Sequence, residues 1–265
     1  KKKIKNVYYA YDDPDPRTYK KAKIILKKKK IKIKKIKINN FKNFYRSYYL
    51  NKKFKLPLIS AKIAISKDYF TISKKNKWIT NDRSRKTTHL LRSESDCIFS
   101  TSKSINKDNS LLNCRIEGLN TNKPDLFIID LNLKLKKNLA VINMAKKRTT
   151  FLVTKKENRK KLGFFKKKGF KFIFVESLIT NDDFNNMFHH IYSLGYSRAL
   201  FETGVTFLNT LINLKLVNIL YVFQNSANLK IDGSNNATPI YLKKIKLNRR
   251  IKTNLNNDNL FKIEL

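Results

Sequence analysis

A largely parallel α/β sheet is the fold class this sequence predicts, and three observations lead to it. Short apolar runs rich in Ile, Phe, Leu and Val recur along the chain, as at residues 126–130, 150–153 and 219–223. Such near-continuous hydrophobicity belongs to strands buried on both faces. Helix-compatible stretches stand between the runs, and strands that alternate with helices build parallel sheets. No internal repeat breaks the order.

Residues 1–50 read as strand, helix, strand, helix. The β-prone run Val7-Tyr8-Tyr9-Ala10-Tyr11 is closed by the turn cluster Asp12-Asp13-Pro14-Asp15-Pro16. Residues 17–30 are helix-compatible, and Ile31, Ile33, Ile36 and Ile38 predict a strand whose alternation breaks at Lys34-Lys35. Phe41, Phe44, Tyr45 and Tyr48 form a helical stripe within 39–50, read as packing. Residues 58–66 alternate. Ile59, Ala61, Ile63 and Ile65 share one face; Leu58, Ser60, Lys62, Ala64 and Ser66 share the other. A lysine on such a face either snorkels to solvent or stands beside a ligand.

The only tryptophan, Trp78, is followed by a helix start signal, and Arg92 stands at that helix's far end. Short strands are expected at 97–100, 126–130, 150–153 and 170–174. Thr180-Asn181-Asp182-Asp183 caps a helix whose Phe184, Met187, Phe188, Ile191 and Tyr192 share a face, and Gly195 ends it. A strand at 198–202, a helix opened by Gly204 and running through Leu214, and a strand at 219–223 follow. Residues 225–237 read as a polar loop, and 240–265 as a closing β-hairpin with 249–258 as its connection.

Composition excludes several classes. With 41% hydrophobic residues the chain of 265 residues can bury a core, unlike a disordered chain. No apolar run approaches the about 18 residues that cross a bilayer, so no membrane partner is expected. The start, Lys1-Lys2-Lys3-Ile4-Lys5, has neither Met nor an apolar leader and reads as the cut end of a longer protein. Cys97 and Cys114 cannot build a disulfide framework and fit a reducing cytoplasm. Lys and Arg number 59 against 19 acidic residues, a net charge of +40. The lysines are spread over nearly every segment and travel with Ile and Asn, the signature of A/T-rich codons, so the charge does not imply a nucleic-acid partner. It does steer anionic ligands such as phosphates, in a salt-sensitive way.

Motifs narrow the chemistry. No G-x-G-x-x-G or Walker pattern appears, and His89, His189 and His190 lack metal-ligand spacing with Cys or acidic residues, so no metal site is expected. In Phe201-Glu202-Thr203-Gly204-Val205-Thr206-Phe207 a strand ends in an acidic residue, a Gly turn and a helix. In parallel sheets ligands bind outside the carboxyl ends of strands, and a helix N-terminus offers free N–H groups to a phosphate. An ordinary βα turn has the same composition, and both readings stand on these residues alone.

A wider pattern resembles a known family. Lys62-Ile63-Ala64-Ile65-Ser66-Lys67-Asp68 is similar to a K-x-x-x-S-x-D-G strand end, and Lys77-Trp78-Ile79-Thr80 to S-x-W-I-T. Leu91-Arg92-Ser93-Glu94-Ser95-Asp96-Cys97-Ile98 resembles L-R-x-x-x-D-A-I, and residues 108–115 resemble D-D-P-x-L-T-V-R. Residues 124–130 resemble P-x-R-x-V-x-D, and Phe201-Glu202-Thr203-Gly204 the E-G-G or E-A-G turn. In this order they are the motifs of the reductase half of the riboflavin-biosynthesis bifunctional deaminase–reductase family. Val7 to Arg17, with Asp13-Pro14-Asp15-Pro16, is similar to a strand and D-P-N-P loop late in that family's deaminase domain. Departures are Asn76 for the family Ser, Tyr69 for the Gly after Asp68, Asp108-Asn109-Ser110 for D-D-P and Leu131 for a strand-end Ser.

The resemblance implies a dihydrofolate-reductase-like, mostly parallel sheet flanked by helices over residues 51–265. It also implies that residues 1–50 are the C-terminal remnant of a cytidine-deaminase-like domain with a linker helix. Its zinc motifs, H-A-E and P-C-x-x-C, belong upstream, so no deaminase activity is expected of these residues. The implied reaction is NADPH-dependent reduction of 5-amino-6-(5-phosphoribosylamino)uracil to the ribityl compound, in a cytoplasmic homodimer. Carried over by position, Lys62 and Glu202 are the catalytic candidates, and Asn76, Arg92, Leu112, Arg115 and Glu202 meet the substrate. Ala64, Trp78, Ser104, Asp108 and Gly204, Val205, Thr206, Phe207, Leu208, Asn209 and Thr210 meet NADPH. Rival readings are a dihydrofolate-reductase-like enzyme with another substrate and a basic nucleic-acid-binding module. All of this requires distant stretches of chain to converge on one cleft.

Overall fold

The computed structural model describes residues 4–38, 44–119, 123–236 and 245–265. It comprises two units, Lys1–Leu58 with Phe188–Ser197, and Ile59–Met187 with Arg198–Leu265. In the first unit, β1 (Asn6–Tyr9) is followed by α1 (Lys21–Lys28), β2 (Lys32–Lys35) and α2 (Arg46–Phe54). The strands pair in parallel, from Asn6 opposite Lys32 to Tyr9 opposite Lys35. Asp15 holds the acidic turn: its carboxylate accepts from the Arg17 backbone N–H and guanidinium. The aromatic stripe does pack, since Tyr45 stacks on Tyr11 at 5.8 Å and meets Tyr48 edge-on at 6.1 Å. Phe41 lies outside the described residues.

The second unit is built on β3 (Leu58–Ile65), β4 (Phe70–Ser73), α3 (Asp82–Ser93), β5 (Cys97–Thr101), α4 (Ser102–Asp108), β6 (Asp125–Ile129), α5 (Ala140–Met144) and β7 (Thr150–Lys155). Next come α6 (Gly163–Lys167), β8 (Lys171–Val175), α7 (Asn181–Ser193), β9 (Arg198–Phe201), α8 (Val205–Asn213), β10 (Ile219–Asn225), β11 (Gly233–Asn236) and β12 (Asp258–Glu264). An eight-stranded sheet runs β12–β10–β3–β9–β5–β6–β7–β8. β10 pairs with β3, β9 with β5, and β5, β6, β7 and β8 with one another in parallel; β12 closes the edge antiparallel to β10. The predicted α/β class and mostly parallel sheet are therefore present.

Strand register sets the core. Phe201, Phe99, Phe127 and Phe151 lie opposite one another on neighbouring strands, and their rings stack at 4.6, 4.7 and 4.5 Å. Offset stacks of this kind add about 0.5–1.5 kcal/mol per pair beyond area burial. The alternate residues Ile98, Leu126, Ile128, Leu152 and Leu200 face a second cluster with Val141, Ile142 and Phe165. In β3 the face of Ile59, Ala61, Ile63 and Ile65 is fully buried, as alternation predicts, and Ser60, Lys62 and Ala64 are half-buried.

Several elements differ from the sequence reading: β4, α5 and α6 are not expected from it, and three more call for comment. The polar stretch at 225–237 contains β11, which pairs antiparallel with β4, Gly233 opposite Ser73. Gly233 is needed there, because a Cβ would fall 2.3 Å from the Phe70 ring. The C-terminal hairpin is reduced to a bridge between Arg250 and Phe261, because β12 gives its main pairing to β10; residues 240–244 lie outside the described residues. α4, invisible in the hydrophobic pattern, is started by Thr101, whose hydroxyl accepts from the Ser104 N–H.

Tyr69 explains one departure from the family pattern. It takes φ 67°, left-handed backbone, where the family carries Gly. The turn survives because Asp68 clamps it, accepting from Ser66 Oγ at 2.6 Å and from the Leu229 and Lys230 N–H groups. A Cβ in this region costs about 1–2 kcal/mol, and the greater chain entropy of Gly returns about half of that. Tyr69→Gly is therefore expected to stabilise the protein by about 0.5–1 kcal/mol, read as a rise in the urea midpoint at unchanged slope; a lower midpoint would show that the tyrosine ring outweighs the strain.

Candidate active site

The helix carrying the predicted arginine is fixed at both ends. At its start, Asn81 Oδ1 accepts from the Ser84 N–H at 3.0 Å. The buried Asp258 accepts from the Asn81 N–H at 2.8 Å, Ser84 Oγ at 2.6 Å and Asn225 Nδ2 at 2.8 Å. One carboxylate thus ties the N-terminus of α3 to the ends of β10 and β12. At the other end Arg92 is 9% exposed. Its Nε donates to Glu202 Oε1 at 2.6 Å and one terminal nitrogen to Oε2 at 3.0 Å, a two-pronged pair, while the other donates to Asn113 O at 3.0 Å.

Glu202 follows the last residue of β9, so this pair sits at the carboxyl end of a central strand. Burial raises the Glu202 carboxyl, but Arg92, then Lys62 and His89, reverse this and leave it below its ordinary value of 4.5. Lys62, two strands in from the sheet edge, is half-buried. Burial lowers its ammonium, Glu202 opposes that and Arg92 adds to it. Its Nζ stands 5.5 Å from the centre of the Phe223 ring. Lys62, Arg92 and Glu202, predicted from three separate motifs, therefore form one electrostatic cluster. Ala64 shares the half-buried face of β3 with Lys62 and is opposite Phe223 in β10.

Arg115 joins the cluster through a residue that sequence reasoning passed over. His89 Nδ1 lies 3.1 Å from Asn113 O and 3.2 Å from the Arg115 N, and its Nε2 lies 3.4 Å from an Arg115 guanidinium nitrogen. Burial, then Arg92 and Arg115, lower the imidazole's pKa. Leu112 sends its side chain into the core at φ 52°, so only its backbone is left to meet a ligand. That segment is held by Arg148, another residue passed over. Arg148 is buried and donates to Pro124 O at 2.6 Å, Leu112 O at 2.9 Å and Leu111 O. Burial and Arg92 lower its pKa to about 10. The Asn76 N–H donates to Ser73 Oγ within its own turn, and among the described residues no hydrogen bond joins Asn76 to the cluster.

A second group forms around α8. Ser104 Oγ accepts from the Gly204 N–H at 3.1 Å, which joins the starts of α4 and α8 beside the ends of β5 and β9. Asp130 steadies α4 by accepting from Ser102 Oγ at 2.8 Å. Gly204 has φ −65°, and a Cβ there would meet only Ser104 Oγ at 3.6 Å, so the fold itself does not require glycine. Val205 and Leu208 are buried in the core, and Phe207 stacks on Phe201 at 6.5 Å. Gly204, Thr206, Asn209 and Thr210 are left to face a ligand. Among the described residues Thr203 Oγ1 and Asn209 Oδ1 are buried without a hydrogen-bond partner, and such groups cost about 1–3 kcal/mol each unless something else meets them. A phosphate-bearing dinucleotide at this helix start would supply donors, acceptors and charge of the right kind.

Trp78 is 54% exposed and lies between Lys77 and Arg85, each 5.3 Å from its ring. Lys77 also acts on Asp108, opposing the partial burial that raises the Asp108 carboxyl. Lys77 is thus shared electrostatically by Trp78 and Asp108, and among the described residues no hydrogen bond or ion pair joins Trp78 to Arg92 and Glu202. No group of His, Cys, Asp and Glu suited to a metal ion occurs among the described residues.

A mostly parallel sheet with an antiparallel edge strand, carrying a charged cluster and a helix start at the carboxyl ends of its strands, is a dihydrofolate-reductase-like domain. The family model of the RibD C-terminal domain matches residues 57–241, and the chain belongs to that family. Among solved structures it is similar to RibD of Acinetobacter baumannii, with a TM-score of 0.76 and 17% identity over 98% of this chain and 73% of that one. It is similar to a diaminohydroxyphosphoribosylaminopyrimidine deaminase/5-amino-6-(5-phosphoribosylamino)uracil reductase from Thermotoga maritima, with a TM-score of 0.75 and 15% identity over 98% of this chain and 71% of that one. Riboflavin biosynthesis reductase Rib7 of Saccharomyces cerevisiae gives 0.63 and 19% identity over 86% of this chain and 100% of that one. At these identities the likeness is one of fold. No curated protein matches the chain. The family resemblance read from the motifs is borne out.

Truncating one member of the buried pair leaves an uncompensated charge, which costs about 3–5 kcal/mol. Arg92→Met should lose that much stability, and Arg92→Met with Glu202→Gln should recover most of it. Because Glu202's pKa is depressed on folding, its contribution is full above pH 4.5 and fades as pH falls through the folded value. Urea denaturation between pH 3 and pH 7, roughly the carboxylate range, should show a flatter acid limb for Glu202→Gln.

Proposed function

We propose that the chain is the reductase part of a riboflavin-biosynthesis deaminase/reductase, and that it reduces 5-amino-6-(5-phosphoribosylamino)uracil to the ribityl compound with NADPH. The observation that carries the reading is the Lys62–Arg92–Glu202 cluster at the carboxyl ends of central strands, in a chain of the RibD C-terminal domain family. The names of the Thermotoga maritima and Saccharomyces cerevisiae proteins support it.

When bound, NADPH supplies the hydride that goes to the sugar C1′. Opening of the sugar ring at C1′ on hydride addition would leave a ring oxygen that needs a proton. Lys62, its ammonium made more acidic by burial, gives that proton. Glu202 stays ionised against Arg92 and orients the sugar hydroxyls and Lys62. Arg115 takes the phosphate, for which a guanidinium fork is suited; Arg92, its charge met by Glu202, holds that carboxylate on the substrate side. Asn76 and the Leu112 backbone complete the substrate side. Gly204, Thr206, Asn209 and Thr210 hold the cofactor's phosphates at the α8 start, with Ser104 and Asp108 beside them and Trp78 and Ala64 flanking the nicotinamide end.

Residues 1–50 are, on this reading, the remnant of the deaminase domain, and any zinc belongs to the other part of that domain. Two observations favour this. Lys1–Leu58 groups into a unit of its own with Phe188–Ser197, and the likeness to the Acinetobacter baumannii RibD spans 98% of the chain against 86% for Rib7. The partners are a pyrimidine sugar phosphate and a second copy of the chain, in the cytoplasm; no helix among the described residues is long and apolar enough to cross a membrane.

Oxidation of NADPH by the purified chain, started with the ribosylaminopyrimidine phosphate, tests the assignment; a well-folded protein without turnover rejects it. Arg115→Ala should raise the substrate KM about 10-fold or more with kcat little changed, as loss of uniform binding does, and an unchanged KM would remove Arg115 from the site. Gly204→Ala should fold with wild-type stability, because the fold has room for the methyl, yet raise the KM for NADPH several-fold. Equal KM values would mean the cofactor does not approach that backbone.

A further inference from the structure

His89 has no part in the assignment above, yet it is the one side chain that links the two arginines of the substrate side. It lies three residues before Arg92 on α3, hence on the same face one turn away. A guanidinium can only donate. With the ring proton on Nδ1, that nitrogen donates to Asn113 O at 3.1 Å and Nε2 accepts from the Arg115 guanidinium across 3.4 Å. The other tautomer would satisfy only the Arg115 backbone N–H, 3.2 Å from Nδ1, so the neutral ring is assigned the form that meets two contacts rather than one. That same carbonyl accepts from Arg92 at 3.0 Å. One peptide oxygen thus connects the imidazole to the Arg92–Glu202 pair.

The consequence lies in what Arg115 does not have. It is exposed, and among the described residues it makes no ion pair with a carboxylate. A carboxylate would orient a guanidinium but also neutralise it, and an incoming anion would have to displace it. A neutral imidazole orients the fork and leaves its whole charge for a ligand. The charged groups facing the ring are Arg92, Arg115 and Glu202; the two arginines, with burial, keep it neutral against the weaker pull of Glu202 and the Asn113 carbonyl.

We propose that His89 is a positioning residue that holds the Arg115 guanidinium, uncompensated, in the orientation that receives the substrate's phosphate. This rests on the reductase reading of the site, and deepens it by naming what presents the phosphate ligand.

The test is calorimetric titration of ribose 5-phosphate into the full chain, for wild type, His89→Leu, His89→Asn, His89→Gln, Arg115→Ala and the His89→Leu/Arg115→Ala double variant. Gln keeps an acceptor within reach of Arg115. Asn keeps only the bond to the Asn113 carbonyl. His89→Leu and His89→Asn should each weaken binding about 10-fold or more, the worth of one hydrogen bond to a charged group. His89→Gln should recover most of the loss, and the double variant should bind no more weakly than Arg115→Ala alone. If His89→Leu fails to fold, the Asn and Gln pair decides the matter. Additive losses in the double variant, wild-type affinity in His89→Asn, or no binding of ribose 5-phosphate by the wild type would each overturn the proposal. Turnover is scored separately. A wild type that binds ribose 5-phosphate with the expected coupling but reduces no ribosylaminopyrimidine refutes the reductase reading and leaves the role of His89 intact.

Discussion

The two-pronged contact between Arg92 and Glu202 is the constraint on which the site depends. It joins the C-terminal end of α3 to the residue just past β9. Both side chains are about nine-tenths buried, and at that burial neither charge is tolerable without the other. A buried ion pair is weak evidence of stability but strong evidence of fixed geometry, because only a narrow range of positions repays desolvation. The same pair sets the charge states around it. It keeps Glu202 ionised and, with burial, favours the neutral form of His89, while at Lys62 burial makes the ammonium more acidic and Glu202 pulls against it more than Arg92 adds. The chemical character of the cluster thus follows from one contact and its burial.

That contact is held in place from outside. Asp258 fixes the start of α3 with three donors, so the helix cannot slide and carry Arg92 away from Glu202. The Phe201–Phe99–Phe127–Phe151 stack fixes the height of β9 against β5, and Glu202 follows directly on Phe201. Arg148 gathers the carbonyls of Leu111, Leu112 and Pro124, which sets the backbone leading to Asn113 and Arg115. Lysine would serve poorly in either buried position. Arg92 and Arg148 each reach several acceptors in one plane, and a guanidinium is less costly to desolvate than an ammonium. In a chain so dominated by lysine, the two buried positions that need a fork, 92 and 148, carry arginine.

What the sequence made legible follows from what local pattern can encode. Period-two alternation gave β3 and its buried face, and apolar runs gave β5 through β10, because these depend on one strand at a time. Lys62, Arg92 and Glu202 were found as parts of motifs, and Ser104 and Gly204 likewise, although nothing in the chain indicates that Ser104 would accept from the Gly204 N–H. His89 carried a usable signal, its i, i+3 spacing from Arg92, which a search for metal ligands does not weigh. Arg148 and Asp258 carried none, since a lone arginine in Lys146-Lys147-Arg148 and an aspartate in an Asn-rich tail look like surface residues until the chain folds around them. β11 was missed because its Gly-Ser-Asn-Asn sequence lacks strand propensity, and pairing with β4 overrides it. Trp78 was singled out, but what flanks its ring, Lys77 and Arg85, is cationic rather than apolar.

The net charge of +40 and the charge of the site are separate quantities. Pairs such as Lys35 with Asp12 and Lys156 with Glu176 are solvated, where ion pairs contribute about 0–1 kcal/mol and salt screens them. Arg92, Glu202, Arg148 and Lys62 are shielded from that screening, and their balance is set by neighbours a few ångströms away. A drift of surface composition toward lysine can therefore proceed without disturbing the cluster, so long as Asp258, Arg148 and the phenylalanine stack are kept. It also accounts for Tyr69. Where the Asp68 clamp over-determines the turn, the glycine can be lost at a modest cost in strain, because the residues that fix the backbone there are not the residue that was replaced.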